Sequence, residues 1–315
     1  MILSILFVIA GFALLVYGGN ILIEGASNVA RYFGISELMV GLTVVSFGTS
    51  APELAISIMS ALEGHAEITL GNVVGSNNFN LFVVLGSAGV VTALKVERVI
   101  LKRDIPLSLL FGVLVLLMGN DFFVGNAHEI SRIEAISLLV VLGGYFILLF
   151  RDAKNNKDKD FISAPDMSMT RATLYIVGGL VGLVGGGKLA LTGAVDIAHY
   201  IGLSEKVIGL TIVAVGTSLP ELVTSIIASR KGNIDMALGN VIGSNIFNIL
   251  LILGISCTIM PIKYDTSFNF DLFMLLGGTL VLQLIALPKP NLIRRWQSGV
   301  FLAIYIAYTI YLIKN

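Results

Sequence analysis

Residues 34–86 recur at 202–254 without an insertion or deletion. A shift of 168 lays GISELMVGLTVVSFGTSAPELAISI over GLSEKVIGLTIVAVGTSLPELVTSI, and LGNVVGSNNFN over LGNVIGSNIFN, with roughly half of the aligned positions identical. A repeat this strong constrains the fold before any single element does, because both copies must form the same unit. Apolar composition alone does not produce the match. The identical positions include Gly, Thr, Ser, Pro, Glu and Asn, which a lipid environment does not select.

Apolar runs of about 20 residues recur along the chain, the length that crosses ~30 Å of hydrocarbon. Hydrophobic residues make up 56% and charged residues 13%, against about 25% charged in a soluble domain. The chain therefore reads as a polytopic membrane protein. The formal net charge is zero, so no basic field points to nucleic acid. The single Cys257 permits no intrachain disulfide. The opening MILSILFVIAGFALLVYGG lacks a basic leader and runs past signal-peptide length, which predicts a retained first helix.

Ten spans are expected, near 2–24, 37–62, 67–92, 105–120, 131–150, 171–197, 205–229, 234–259, 268–287 and 296–313. The hydrophilic RDAKNNKDKDFISAPDMSMT separates the fifth from the sixth. The chain then divides into a first five-helix repeat (1–150, motif 34–86), a polar linker (151–170) and a second repeat (171–315, motif 202–254). Lys and Arg in short loops mark the cytoplasmic side. Arg31, Lys95, Arg98, Lys102, Arg103, Arg151, Lys154, Lys157, Lys159, Arg171, Arg230, Lys231, Lys289, Arg294 and Arg295 fall on one face of the ten-span arrangement. Arg132, Lys206, Lys263 and Lys314 fall on the other. This asymmetry predicts a multi-pass cell-membrane protein with a cytoplasmic linker and both termini outside. Five spans per repeat is an odd number, so the halves are inverted. The expected fold class is an all-α membrane protein of ten transmembrane helices in two inverted-topology repeats, with discontinuous helices around a midplane site. Inverted repeats are frequent in secondary transporters.

Each copy places a glutamate straight after a proline inside an apolar run: GTSAPE ends at Glu53 and GTSLPE at Glu221. Proline removes a helical hydrogen bond, so Pro52 frees the carbonyl of Gly48 and Pro220 that of Gly216. Broken helices at membrane depth are tolerated where they line a cavity or are buried in protein. Helical spacing would put Thr49, Ser50 and Glu53 on one face, and likewise Thr217, Ser218 and Glu221. On the following spans Asn72, Ser76 and Asn80, and Asn240, Ser244 and Asn248, form polar stripes four residues apart. Gly71/Gly75 and Gly239/Gly243 are small-residue pairs that permit close helix approach. The resulting donors are all oxygen, the set that hard cations such as Ca²⁺ prefer. No thiolate or imidazole at membrane depth suits a softer metal, since His65, His128 and His199 all lie near loops. A lone Ser or Thr in a membrane helix usually bonds its own backbone. An intramembrane Glu is functional by default, and two at equivalent positions with the same polar escort outweigh the structural alternative. Glu24 and Glu63 read as interfacial. Lys188, in GGLVGLVGGGKLA, fits either a snorkelling side chain or a helix that slides.

The two motif pairs resemble the alpha-repeats of the cation/calcium exchanger superfamily, in its prokaryotic sodium/calcium exchanger branch. The likeness covers the chain in span count and linker position. It implies Glu53, Thr49, Ser50, Ser76 and Asn80 as ion ligands from the first half, with Glu221, Thr217, Ser218, Ser244 and Asn248 from the second. It also implies backbone oxygens at Ser46 and Ala214. Ca²⁺ and Na⁺ would be transported ions, with membrane lipid as the surroundings, no cofactor, and no obligate protein partner. Spans one and six would slide past an eight-helix core. Some family members carry Asp where this chain has Asn248, so the site here holds two formal charges.

The expected function is Na⁺/Ca²⁺ antiport by alternating access. A proton-coupled Ca²⁺ exchanger is the nearest alternative. Members of that type place Glu after GNA, whereas this chain has GNV followed by Gly. A cation channel fits less well, because inverted halves do not place a pore along the membrane normal. An intramembrane enzyme is disfavoured: the sequence has no HExxH motif and no Ser/His pair at membrane depth.

Overall fold

The computed structural model describes residues 1–64, 66–122, 128–155, 165–200 and 214–314. His65, residues 156–164 of the linker and residues 201–213 lie outside the described residues. The opening of the second motif and of its span, with Lys206, falls there too. Among the described residues, six helices are long and apolar enough to cross a membrane, or seven if one bent pair counts as a single span.

Two helices exceed the rest in length. α1 (Ile2–Phe33) and α7 (Met169–Tyr200) have 32 residues each, or about 48 Å at 1.5 Å per residue. Both therefore outrun the expected spans, and a helix longer than the hydrocarbon thickness tilts. They pack antiparallel along a seam of small residues. A Cβ on Gly18 would lie 2.8 Å from the Gly179 carbonyl, and one on Gly179 would lie 2.7 Å from Leu22 Cβ. Only glycine allows that approach. α1 ends at Gly34, whose φ of 62° is left-handed.

The Glu53 motif folds as α2 (Glu37–Thr49) and α3 (Ala51–Leu62), which meet at a 46° bend. Ser36 caps α2 by accepting from the Met39 N–H at 3.2 Å. The break falls at Ser50 (φ −80°, ψ 6°), and Pro52 sits in the first turn of α3, where its missing N–H is no loss. The second copy repeats this with α8 (Ala214–Thr217), a break at Ser218 (φ −93°, ψ 10°), and α9 (Leu219–Arg230) with Pro220 in its first turn. Each glutamate therefore occupies the first turn of a new helix, where the dipole favours negative charge.

The GNV…GSN motif is helical in both copies: α4 (66–91) and α10 (Ile234–Ile259). Each widens into a π-helical turn that opens at the asparagine, over Asn80–Val84 and over Asn248–Leu253. Such turns cluster at functional sites. The Gly239/Gly243 pair receives α2: a Cβ on Gly239 would meet the Leu38 carbonyl at 2.7 Å, and one on Gly243 would meet Ser46 Oγ at 2.7 Å. The counterparts of Leu38, Gly41 and Leu42, which Gly71 would receive by the same relation, lie outside the described residues.

The remaining helices are α5 (100–119), α6 (Arg132–Asn155), α11 (Phe268–Ala286) and α12 (Arg295–Lys314). Two short antiparallel ribbons tie the halves together. β1 (Leu94–Lys95) pairs with β4 (Leu292–Ile293), and β2 (Glu129–Ile130) pairs with β3 (Ile262–Lys263). β1 and β3 are 168 residues apart, and each pairs with a strand of the opposite half. The same exchange between halves organises the polar centre.

Candidate functional site

Glu53 and Glu221 are each 1% exposed, and the hydroxyls that hold them come from the opposite repeat. Ser218 Oγ donates to Glu53 Oε1 at 2.9 Å, and Ser50 Oγ donates to Glu221 Oε1 at 3.0 Å. Thr217 stands beside the Glu53 carboxylate and Thr49 beside that of Glu221. Helical spacing predicts that Thr49, Ser50 and Glu53 act together on one face. The helix breaks at Ser50, between Thr49 and Glu53, and the Ser50 hydroxyl reaches the glutamate of the opposite repeat.

The helices behind the glutamates are fastened identically. Asn72 Nδ2 donates to the Glu53 carbonyl at 3.1 Å and to Ser57 Oγ at 2.9 Å. Asn240 Nδ2 donates to the Glu221 carbonyl at 3.4 Å and to Ser225 Oγ at 2.9 Å. Asn240 Oδ1 also accepts from Thr49 Oγ1 at 3.1 Å. α4 and α10 are clasped directly, with Asn77 Nδ2 donating to the Asn245 carbonyl at 3.3 Å and Asn245 Nδ2 to the Asn77 carbonyl at 3.4 Å. Ser76 Oγ and Ser218 Oγ lie 3.2 Å apart, within hydrogen-bond distance. Ser244 lies beside the Glu221 carboxylate, without a partner in hydrogen-bond geometry.

The structure thus brings together Thr49, Ser50, Glu53, Ser76, Thr217, Ser218, Glu221 and Ser244; Asn80 and Asn248 are buried at the openings of the two π-turns, and Asn248 is bonded to Asn77. The Ser46 carbonyl is engaged: it accepts from the Ser50 N–H at 3.0 Å, and Thr49 Oγ1 lies 3.4 Å away. Ala214 opens α8. Lys188 is exposed on α7, and Cys257 is buried. Four residues were missed as part of the site: Ser57, Asn77, Ser225 and Asn245. The repeat itself carried their signal, since Ser57/Ser225 and Asn77/Asn245 are identical pairs 168 residues apart.

Several buried oxygens at this centre have no hydrogen-bond partner: Glu53 Oε2, Glu221 Oε2, Asn80 Oδ1, Asn245 Oδ1, Asn248 Oδ1 and Ser244 Oγ. Among the described residues, neither glutamate forms an ion pair. A buried charge without a counter-charge is costly, and a buried acceptor without a donor costs about 1–3 kcal/mol. Acceptors, carboxylates and no cationic side chain suit a hard cation. The described residues hold no cluster of three or more His, Cys, Asp or Glu that could bind a metal, so neutral oxygens make up most of the donor set here.

The family model described as sodium/calcium exchanger protein matches residues 3–151 and again residues 171–314. The chain belongs to the sodium/calcium exchanger family. Among similar proteins, CaxA of Alkalimonas amylolytica is 35% identical to this exchanger, with 98% of each chain covered. The sodium/calcium exchanger MaX1 of Methanosarcina acetivorans is 32% identical, again over 98% of each. A solved structure of the sodium-calcium exchanger NCX_Mj, soaked with zero Na⁺ and Ca²⁺, matches with a TM-score of 0.83 and 33% identity over 97% of each chain. These relatives are transporters, so the exchanger is not an enzyme. Its family and its helical membrane fold agree with the sequence reading.

Proposed function

We propose that the protein is a secondary active antiporter that exchanges Na⁺ for Ca²⁺ across the cell membrane. One observation carries this reading: two buried carboxylates, braced crosswise by the opposite repeat, sit among neutral oxygens that lack hydrogen-bond partners. Ca²⁺ takes six to eight oxygens at about 2.3–2.6 Å, and two ionised glutamates would neutralise it. The names of MaX1 and NCX_Mj as sodium/calcium exchangers support the same ions. The ligands in this reading are Glu53, Thr49, Ser50, Ser76 and Asn80 with Glu221, Thr217, Ser218, Ser244 and Asn248. The same reading adds the backbone oxygens of Ser46 and Ala214 as ligands.

The same reading takes the chain as ten spans in two inverted repeats, 1–150 and 171–315, joined by a cytoplasmic linker and with both termini outside. The Lys/Arg asymmetry supports the orientation. The reciprocal strand pairings support the inverted symmetry, because elements of opposite halves exchange equivalent partners. α1 and α7 are the moving pair. Both pack on α9, with Gly19 against Ile227 and Val223, and Gly187 against Pro220. On the equivalent surface of α3, Met59 is exposed. Both glutamates are closed off from solvent in this arrangement; in this reading α3 runs from the midplane outward, and withdrawing α1 and α7 toward α9 serves the outside path. Moving α1 and α7 onto α3 opens the cytoplasmic path.

The test is ⁴⁵Ca uptake into proteoliposomes under an imposed Na⁺ gradient or an imposed pH gradient. Uptake driven by Na⁺ alone is the expected result. Uptake driven by the pH gradient alone would assign the protein to the proton-coupled type.

A further inference from the structure

An asparagine serves a cation only when its oxygen faces the ion, since the other end of the amide is a donor. Something must therefore fix which end of Asn248 points inward. The hydrogen bonds around it form a polarised chain. Asn248 Nδ2 donates to Asn77 Oδ1 at 2.9 Å. Asn77 Nδ2 donates to the backbone carbonyl of Asn245 at 3.3 Å. A backbone carbonyl only accepts, so the chain has one sense: Asn77 must turn its NH₂ to residue 245 and its oxygen to residue 248. Asn248 must then turn its NH₂ to Asn77, which leaves Asn248 Oδ1 free of any protein donor. Asn77 and Asn248 are 0% and 1% exposed, so water does not supply an alternative set of partners.

We infer that Asn77 is a positioning residue of the ion site: by taking the donor end of Asn248, and being itself oriented by the Asn245 carbonyl, it makes Asn248 present oxygen to the ion. This rests on the Na⁺/Ca²⁺ reading above. The bland alternative is that Asn77 only clasps α4 to α10, since Asn245 Nδ2 also donates to the Asn77 carbonyl. The two differ in their dependence on residue 248. A carboxylate has no donor end, so an Asp at 248 presents oxygen in either orientation and needs no positioning. An Ala at 248 has no amide to position.

The experiment is equilibrium ⁴⁵Ca binding to purified full-length protein, comparing Asn77→Ala in three backgrounds: wild type, Asn248→Asp and Asn248→Ala. Size-exclusion profiles check that each variant stays folded. In the wild-type background Asn77→Ala should weaken Ca²⁺ binding about tenfold, near the upper end expected for one net hydrogen bond. In the Asn248→Ala background it should change the affinity less than twofold, and in the Asn248→Asp background it should not weaken binding, because there the Asn77 oxygen faces a carboxylate that needs no positioning. An equal loss in all three backgrounds would overturn the inference, because a clasp acts whatever stands at 248. A wild-type protein that binds no Ca²⁺ would instead refute the Na⁺/Ca²⁺ reading itself.

Discussion

α3 and α9 carry the same motif and make the same hydrogen bonds, yet their outer faces meet different neighbours. Met59 on α3 is 55% exposed, whereas its equivalent on α9, Ile227, is 8% exposed. Ala55 is exposed and Val223 half-buried. The polar faces show no such difference: Glu53 and Glu221 are equally buried, and each is held by a serine of the other repeat. Symmetry is thus kept around the two glutamates and broken where α1 and α7 lie. This is the pattern expected of alternating access, in which a fixed site at the repeat interface is served by two exchangeable paths. In the proposed inverted-repeat mechanism α1 and α7 are the moving part, because such a repeat can reverse its access by exchanging the environments of equivalent surfaces.

The strongest test of the symmetric part is removal of one charge. Glu53→Gln and Glu221→Gln should each abolish Na⁺-driven ⁴⁵Ca uptake. Removing one partner of a buried charge arrangement costs about 3–5 kcal/mol, or roughly 10²–10⁴-fold in Ca²⁺ affinity. A variant that transports near the wild-type rate would mean that its glutamate is no ligand, and the equivalence of the two hairpins would be lost.

The asymmetric part is tested by bridging. In a Cys257→Ala background, Gly19→Cys with Ile227→Cys should be bridged by a short bifunctional reagent, stopping transport. The equivalent pair, Gly187→Cys with Met59→Cys, is separated in the described arrangement and should become bridgeable only while Na⁺ and Ca²⁺ drive turnover. Failure of the second pair to bridge during active transport would show that α1 and α7 do not exchange surfaces.

A smaller effect is expected behind the glutamates. Asn72→Ala and Asn240→Ala each strip a buried carbonyl and a buried serine of their donor, at about 1–3 kcal/mol. Both should lower the apparent melting temperature of the detergent-purified protein by similar amounts. A loss confined to one variant would break the equivalence at the level of the scaffold.

The repeat made much of this centre legible in the sequence. Glu53, Ser50, Ser76 and Asn80, with their equivalents, were found because polar residues recurring 168 positions apart in apolar runs have no role in lipid. The crossing of the serines was not legible. Helical spacing assumes a continuous helix, and Ser50 is where the helix stops. The π-turns at Asn80 and Asn248 leave no periodic signature in stretches as uniformly apolar as NLFVV and NILLIL. The extra length of α1 was hidden for a different reason: residues 25–33 are too polar to read as a span, yet they fold as helix because Ala26, Ser27, Asn28 and Ala30 are buried against protein rather than lipid.

The central claim is that two glutamates from opposite repeats form one site. Equilibrium dialysis of the purified protein against ⁴⁵Ca, with and without Na⁺, tests it most directly. The account predicts one Ca²⁺ per chain, displaced by Na⁺, with Glu53→Gln and Glu221→Gln each removing the binding entirely. Two Ca²⁺ per chain, with each substitution removing only one of them, would mean separate sites in the two halves and would contradict it.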